Sequence, residues 1–131
     1  MCTVIQEKVG SGPMAVEAVA TVMGEGVVLT IQTSENGHIG AVAIAEPDQS
    51  DGGRDRAGAT TSVIAIHGCK DEGIAQEVAN QMASELGERV VVTCGLANAD
   101  ATPQQIGEMQ LSARAVMDAV SGQVRMARRE A

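Results

Sequence analysis

One stretch of the chain, residues 64–72, combines the residue types that a small binding site needs. The apolar run Ile64–Ile66 ends at His67, Gly68 follows as a turn residue, and a helix is predicted to open with Lys70 in its first turn. A strand that turns directly into a helix aims backbone N–H groups, the positive end of the helix dipole and a lysine at one small volume. We therefore predict a site for an anion, a phosphate or a carboxylate, at this junction. The plain alternative is an ordinary turn with a solvated lysine.

A second glycine–histidine segment, Gly37–Gly40, lies upstream of this junction. Its histidine, His38, stands at the start of a predicted strand, and His67 stands at the end of the next one. If those strands are antiparallel, the two histidines reach the same edge of the sheet, and the neighbouring glycines let a ligand approach the backbone. The two histidines with Asp71 or Glu72 would also suit a metal ion. The sequence does not fix the register between the strands, and we predict no metal.

Cys69 lies between His67 and Lys70 near a helix N-terminus, a setting that favours a reactive thiolate. A Cys–His nucleophile needs a third group that orients the base, and the sequence offers none near these residues. The chain also lacks the phosphate loops, nucleophile elbow and zinc-protease helix that short motifs reveal. We therefore predict a binding protein with no catalytic residue.

The composition limits the ligands and partners of the chain. It has 131 residues, enough for one domain with an ordinary core, and 44% of them are hydrophobic. No residue is aromatic, so the core must use aliphatic side chains and seven methionines, and a flat ligand must lie on those or on backbone. The net charge of −8 argues against nucleic acid and anionic membranes as partners.

The three cysteines, Cys2, Cys69 and Cys94, show no CxxC spacing, which argues against a disulfide framework and for a reducing compartment. We see no basic segment followed by an apolar run at the N-terminus, and no apolar run long enough to span a bilayer. The sequence therefore predicts a cytoplasmic protein.

The order of the elements predicts an α+β fold. Residues 1–14 form an N-terminal arm or an edge strand, and residues 15–128 form a single domain. Strands are predicted at 15–23, 27–33, 38–45 and 61–66, separated by turns and by a flexible loop at 46–60. In that loop Arg54 and Arg56 are candidates to close over an anion. These four strands are expected to form an antiparallel meander.

A helix then ends at Gly87, a strand covers residues 89–94, and a last helix begins at Thr102-Pro103 with Gln105 closing a capping box. The apolar stripe predicted for that helix consists of Ile106, Met109, Ala113, Val116, Val120 and Val124. Together the elements predict a two-layer α+β sandwich, ββββαβα, with a mostly antiparallel sheet. Its second sheet face is apolar enough to need a cover, which predicts a homo-oligomer.

These motifs resemble a known family, the LpdD-like prenylated-flavin chaperones, which are the small D subunits of gallate-type, UbiD-class decarboxylases. The resemblance rests on Gly37-His38-Ile39-Gly40-Ala41-Val42-Ala43 and on His67-Gly68-Cys69-Lys70-Asp71-Glu72, and it spans about residues 15–124. It implies a protein that binds prenylated FMN, or FMN, and helps deliver or mature it for a UbiD-class decarboxylase. It further implies cofactor-binding residues on two segments: His38, Ile39 and Gly40 on one, and His67, Gly68, Cys69, Lys70 and Asp71 on the other.

Two other functions fit the same residues. One is a small enzyme that acts on a phosphorylated or carboxylated substrate through His67, Cys69 or Lys70. The other is a non-catalytic assembly subunit that docks on a partner through its sheet.

Overall fold

The computed structural model of the chain describes residues 2–48, 58–66, 71–96 and 101–130. Within these ranges six strands and two helices follow one another in the order β1–β5, α1, β6, α2. The strands are β1 (Thr3–Val9), β2 (Val16–Val22), β3 (Val27–Thr33), β4 (Ala41–Pro47), β5 (Ala59–Ala65) and β6 (Val90–Gly95), and the helices are α1 (Glu72–Leu86) and α2 (Pro103–Glu130). Strands followed by helix, strand and helix confirm the predicted α+β class.

The described strands form one sheet with the order β1-β2-β3-β6-β4-β5. All neighbours are antiparallel except β3 and β6, so the prediction of a mostly antiparallel sheet is confirmed. The predicted continuous four-strand meander is wrong in one respect, because β6 lies between β3 and β4. Val90, Val92 and Cys94 of β6 are fully buried. A strand this apolar is stabilised by partners on both edges, and it separates the three strands β1–β3 from the β4–β5 hairpin.

The segment before residue 15 contributes β1, an edge strand that pairs with β2 from Thr3↔Val22 to Val9↔Val16. At the end of the β4–β5 hairpin, the strands extend into the predicted loop at 46–60, and the N–H of Asp48 donates to the carbonyl of Gly58 at 3.0 Å. Residues 49–57, with both arginine candidates of that loop, lie outside the described residues.

The core lies between the sheet and the two helices. Strands β2 and β3 alternate strictly between buried and half-buried residues, and α1 buries Ile74, Val78 and Met82 against the sheet. Gly87 ends α1 in the left-handed conformation, with φ of 65°, as its sequence position predicted. In α2 the capping box forms: the N–H of Gln105 donates to the Thr102 hydroxyl at 3.1 Å, and the N–H of Thr102 donates to the Gln105 side chain at 2.9 Å. Both bonds satisfy N–H groups that the helix start would leave unpaired.

The predicted apolar stripe of α2 is buried from Met109 to Val124, but its first member, Ile106, is 42% exposed. Ile106 lies in the first turn of α2. The described contacts of α2 with the rest of the fold are to β1, β2 and α1. The predicted stripe therefore begins one turn before the buried face of α2, which starts at Met109.

Candidate functional site

Four segments meet where the strands end on one side of the sheet: the start of β4, the end of β5, the end of β6 and the start of α1. Gly40 joins them, because its N–H donates to the carbonyl of Cys94 at 2.9 Å and its carbonyl accepts from the N–H of Ile66 at 3.0 Å. We call the described residues at these strand ends the corner: His38, Ile39, Gly40, Ile66, Asp71, Cys94 and Leu96. The residues that flank the β4–β5 loop lie at the opposite end of the same hairpin. They are separated from the corner by the seven-residue length of β4, or roughly 20 Å.

Asp71 is the buried polar residue of the corner, with 3% of its surface exposed. Its Oδ1 accepts a hydrogen bond from the backbone N–H of Leu96 at 3.0 Å. Its Oδ2 is buried and accepts no hydrogen bond from any residue that the structure describes. Although Asp71 holds the N-cap position of α1, its side chain does not cap the helix. A buried carboxylate oxygen without a donor is costly, so this oxygen is the strongest sign of a ligand in the corner.

His38 faces that oxygen. Its Nε2 lies 3.5 Å from Oδ2 of Asp71, and its Nδ1 lies 3.0 Å from the carbonyl oxygen of Asn36. A carbonyl only accepts, so Nδ1 carries a proton. In the neutral ring, Nε2 is then an acceptor that faces a second acceptor, and the pair is satisfied only when a proton or a donor group lies between them. The His38 side chain is 33% exposed, so such a donor can reach it from solvent.

Two glycines make this close packing feasible. A Cβ added to Gly40 would overlap the Asp71 carboxylate and would lie 3.1 Å from the carbonyl of Cys94. A Cβ added to Gly95 would overlap the backbone of His38. Glycine at these two positions therefore lets the His38 segment and the Asp71 side chain approach the strand ends.

Cys94 is a fully buried member of the corner and takes no part in its solvent-facing chemistry. Burial, with a smaller contribution from the nearby Asp71 carboxylate, raises the pKa of the Cys94 thiol from 9.0 to about 12. A thiol that stays protonated at neutral pH is neither a nucleophile nor a metal ligand. Cys94 is therefore a packing residue.

The structure brings His38, Ile39, Gly40 and Asp71 of the predicted site to the same corner. The other four predicted residues, His67, Gly68, Cys69 and Lys70, lie outside the described residues. The residues on either side of that gap, Ile66 and Asp71, are both at the corner. The small-enzyme alternative depends wholly on residues in the gap.

Sequence reasoning missed the contribution of the end of β6, Cys94 and Gly95, and of Leu96, which directly follows it. One signal was present: a glycine stands at the end of the most apolar strand, where it allows a close backbone approach. What the sequence could not reveal was which strands lie on either side of β6, namely β3 and β4.

Other kinds of site have little support in the described part of the chain. Among its residues no three His, Cys, Asp or Glu side chains cluster as metal ligands. Two open grooves lie elsewhere, one between α1 and α2 and one beside the β2–β3 turn, and neither is lined by a corner residue. None of the described helices has the length and apolar character needed to cross a membrane.

Comparison with known proteins agrees with this fold and identifies the family. A chain in the crystal structure of a novel chaperone complex for yeast 20S proteasome assembly superposes with a TM-score of 0.64, covering 94% of this chain and 98% of that chain. The two are 14% identical, so this likeness shows the fold alone. No curated protein matches the chain at a significant level. The family model of the prenylated-flavin chaperone LpdD-like domain matches residues 10–125, and the chain therefore belongs to that family.

Proposed function

We propose that this chaperone binds prenylated FMN, or FMN, at the corner of His38, Ile39, Gly40 and Asp71, and passes it to a UbiD-class decarboxylase. The observation that carries the proposal is the buried Oδ2 of Asp71, which lacks a hydrogen-bond donor among the described residues and faces His38. A flavin offers suitable donors, since its isoalloxazine ring carries an N–H group and its ribityl chain carries hydroxyl groups. In this role the protein holds and transfers a cofactor and needs no catalytic residue.

The apolar surface beside the corner suits the ring system. Ile39 and Ile66 are 63% and 44% exposed, and both adjoin Gly40, one through the chain and one through a backbone hydrogen bond. With no aromatic residue in the chain, exposed isoleucines are the kind of surface on which a flat ring can lie.

The phosphate of the cofactor needs separate partners. A phosphate beside the Asp71 carboxylate would meet a like charge, which in a partly buried site is unfavourable. We therefore assign the phosphate to residues 67–70, with Lys70 as the cation and His67, Gly68 and Cys69 as its neighbours in the site. This assignment refines the sequence prediction, in which Asp71 shared the anion site: Asp71 accepts hydrogen bonds from the neutral part of the flavin.

Titration with FMN and with riboflavin, followed by flavin fluorescence, tests both halves of the proposal. The protein has no tryptophan or tyrosine, so the flavin signal is free of interference. Lys70→Ala should weaken FMN binding about tenfold or more, through the loss of a charge-assisted contact of ~1.5–3 kcal/mol, and should leave riboflavin binding unchanged. Lys8→Ala, which removes an equal charge from exposed β1, is the matched control.

Asp71→Asn should weaken the binding of FMN and of riboflavin equally, since both flavins carry the N–H and hydroxyl groups that donate hydrogen bonds to Asp71. Asp118→Asn, on the exposed face of α2, removes the same charge far from the corner and should bind like the wild type. Wild-type protein that binds neither FMN nor prenylated FMN refutes the proposed function. Flavin binding that Asp71→Asn leaves intact refutes the corner as its site.

Delivery is tested with the decarboxylase. Chaperone loaded with prenylated FMN should activate the apo-decarboxylase faster than an equal amount of free cofactor, and Asp71→Asn protein should lose that advantage. Equal activation by free and chaperone-bound cofactor would leave binding intact but refute the delivery role.

A further inference from the structure

Strand β5 lies at one end of the strand order, beside β4, so one of its two edges is free. Natural edge strands discourage pairing with other chains by means of charged residues, prolines or bulges. The sequence of β5, ATTSVIA, contains no charged residue, proline or glycine. The other edge strand of the described sheet, β1, carries Glu7 and Lys8. The free edge of β5 is therefore the one that is open to a strand from a partner.

The ladder with β4 shows which backbone groups lie on this free edge. The N–H and carbonyl groups of alternate residues in a strand point to the same side. The N–H of Ile66 donates to the carbonyl of Gly40 on the β4 side, so the groups of Val63, three residues earlier, point away from β4. The carbonyl of Ala59 agrees with this alternation, because it accepts a hydrogen bond from the Asn80 side chain of α1 at 2.7 Å. The outward set is Ala59, Thr61, Val63 and Ala65.

Most of this outward row is unpaired among the described residues. The Asn80 side chain binds the carbonyl of Ala59, at the end next to the β4–β5 loop. The backbone N–H groups of Thr61, Val63 and Ala65 donate to no described residue. From Thr61 to Ala65 the row is roughly 13 Å long, which an extended segment of about five residues would match.

We infer that the UbiD-class decarboxylase docks on this row by adding one of its own extended segments to the sheet as a strand beside β5, an inference that rests on the proposed function. Backbone hydrogen bonds supply the affinity in this mode of recognition, and alternate side chains supply the specificity. The position of the row supports this partner. Ala65 is followed by Ile66, whose N–H binds Gly40 in the corner. A strand laid along β5 therefore brings the enzyme directly to the cofactor site.

The charges at the two ends of β5 define the partner segment. Asp48 accepts a hydrogen bond from the Thr60 hydroxyl at 2.9 Å at the loop end, and Asp71 lies at the corner end. In sequence, residues 46–57 hold four acidic and two basic residues, and residues 67–72 hold two acidic and one basic residue. A segment that is uncharged in its centre and basic at its ends complements this edge. Antiparallel pairing with β5 of a second copy would instead bring acidic ends together, which is unfavourable.

Binding of the purified apo-decarboxylase to the chaperone, measured by biolayer interferometry, tests the docking site with Val63→Pro. Proline removes the outward N–H of Val63, adds its ring on the free edge, and leaves the ladder with β4 intact. The variant should bind the decarboxylase about tenfold more weakly or worse. Its affinity for FMN should be unchanged, because Val63 is not a corner residue. Binding of the wild type should also weaken as the salt concentration rises, since the paired ends carry opposite charges.

Gln6→Pro on the other edge strand is the matched control. Gln6 pairs with Val19. The N–H of Ser34 donates to the carbonyl of Ala15, so Val19, four residues after Ala15, turns its backbone groups to β3. The N–H of Gln6 therefore also points outward, and its removal should leave decarboxylase binding unchanged. Far-UV circular dichroism checks that both variants are folded.

Amide hydrogen exchange of the wild type, read by NMR, tests the same site without a substitution. In the free protein the N–H groups of Thr61 and Val63 should exchange rapidly, and those of Ser62 and Ile64 slowly, because only the latter are bonded to β4. Addition of the apo-decarboxylase should slow exchange at Thr61 and Val63 at least tenfold. If Val63→Pro does not fold, this measurement alone decides.

The outcomes separate this inference from the proposed function. A decarboxylase that does not bind, that binds Val63→Pro as tightly as the wild type, or that leaves exchange at Thr61 and Val63 unchanged overturns the docking site. Flavin binding and delivery would then still support the proposed function. Protection of β5 by the decarboxylase, in a chaperone that binds no flavin, would support the docking site and refute the proposed function. A complex that is indifferent to salt overturns the basic ends assigned to the partner segment.

Discussion

Substitution of Gly40 by alanine tests the packing of the corner most directly. The added Cβ would overlap the Asp71 carboxylate, and Gly40 itself is buried between β6 and β5. If the carboxylate moves aside, the buried N–H of Leu96 loses its acceptor, which costs about 1–3 kcal/mol. If instead the backbone shifts, the 2.9 Å bond from Gly40 to Cys94 is lost at a similar cost. We expect Gly40→Ala to destabilise the fold by about 2 kcal/mol.

Urea unfolding followed by far-UV circular dichroism measures this loss, since without tryptophan or tyrosine the protein has no useful intrinsic fluorescence. With a slope of about 1–3 kcal/mol per molar urea, the midpoint should fall by roughly 1 M. Gly107→Ala is the control: Gly107 lies within α2, an added Cβ there meets nothing within 4 Å, and alanine should stabilise the helix by about 0.5–1 kcal/mol.

A double-mutant cycle decides whether the clash with Asp71 is the cause. In an Asp71→Ala background the carboxylate is gone and the Leu96 N–H has already lost its acceptor, so Gly40→Ala should cost at least 1 kcal/mol less than in the wild type. Equal costs in the two backgrounds would refute our account of the corner. Gly40→Ala should also reduce flavin binding, while Gly107→Ala should not.

Three further predictions concern other parts of the fold. Hydrogen bonds from Arg128 hold the pKa of Glu88 below its ordinary 4.5, so in acid the folded state takes up fewer protons than the unfolded state. The resulting stabilisation is present above pH 4.5 and is lost as the pH falls through the folded pKa. In Glu88→Gln protein the melting temperature should therefore fall less between neutral and acid pH. Burial raises the pKa of Cys94 from 9.0 to about 12, so the stabilising effect of its buried, protonated thiol is complete below pH 9 and is lost as the pH rises toward 12. Cys94→Ala should therefore flatten the alkaline decline of the melting temperature. In the folded wild type at neutral pH, a thiol reagent should label exposed Cys2 but not buried Cys94, as read by mass spectrometry. Gly87→Ala should destabilise α1 by about 1 kcal/mol in urea titrations, because φ of 65° is strained for any residue with a Cβ, and an unchanged midpoint would contradict this.

The fold was largely predictable because its signals are local. Thr102 and Gln105 predicted the start of α2 through their capping box, and Gly87 predicted the end of α1. Both are decided by residues within one turn, so the chain sequence contains all the information. The insertion of β6 between β3 and β4 depends on pairings more than forty residues apart. The valine run of β6 predicted a strand, but it could not predict which strands lie on either side.

The same distinction explains what the sequence predicted of the corner. Glycine next to histidine is a local pattern, and it predicted that a ligand could approach the backbone here. In the structure the Asp71 carboxylate lies where a Cβ on Gly40 would be. The charge of the site, in contrast, depends on residues that only the tertiary structure brings together. Asp71 turns inward because Leu96, which directly follows β6, offers its N–H to one carboxylate oxygen, while the other oxygen faces His38. The junction therefore holds a buried acceptor beside the donors that the sequence predicted. A ligand bound there must supply a donor of its own, and a bare anion, inorganic phosphate for example, should bind more weakly at this corner than riboflavin, which carries no charge at all.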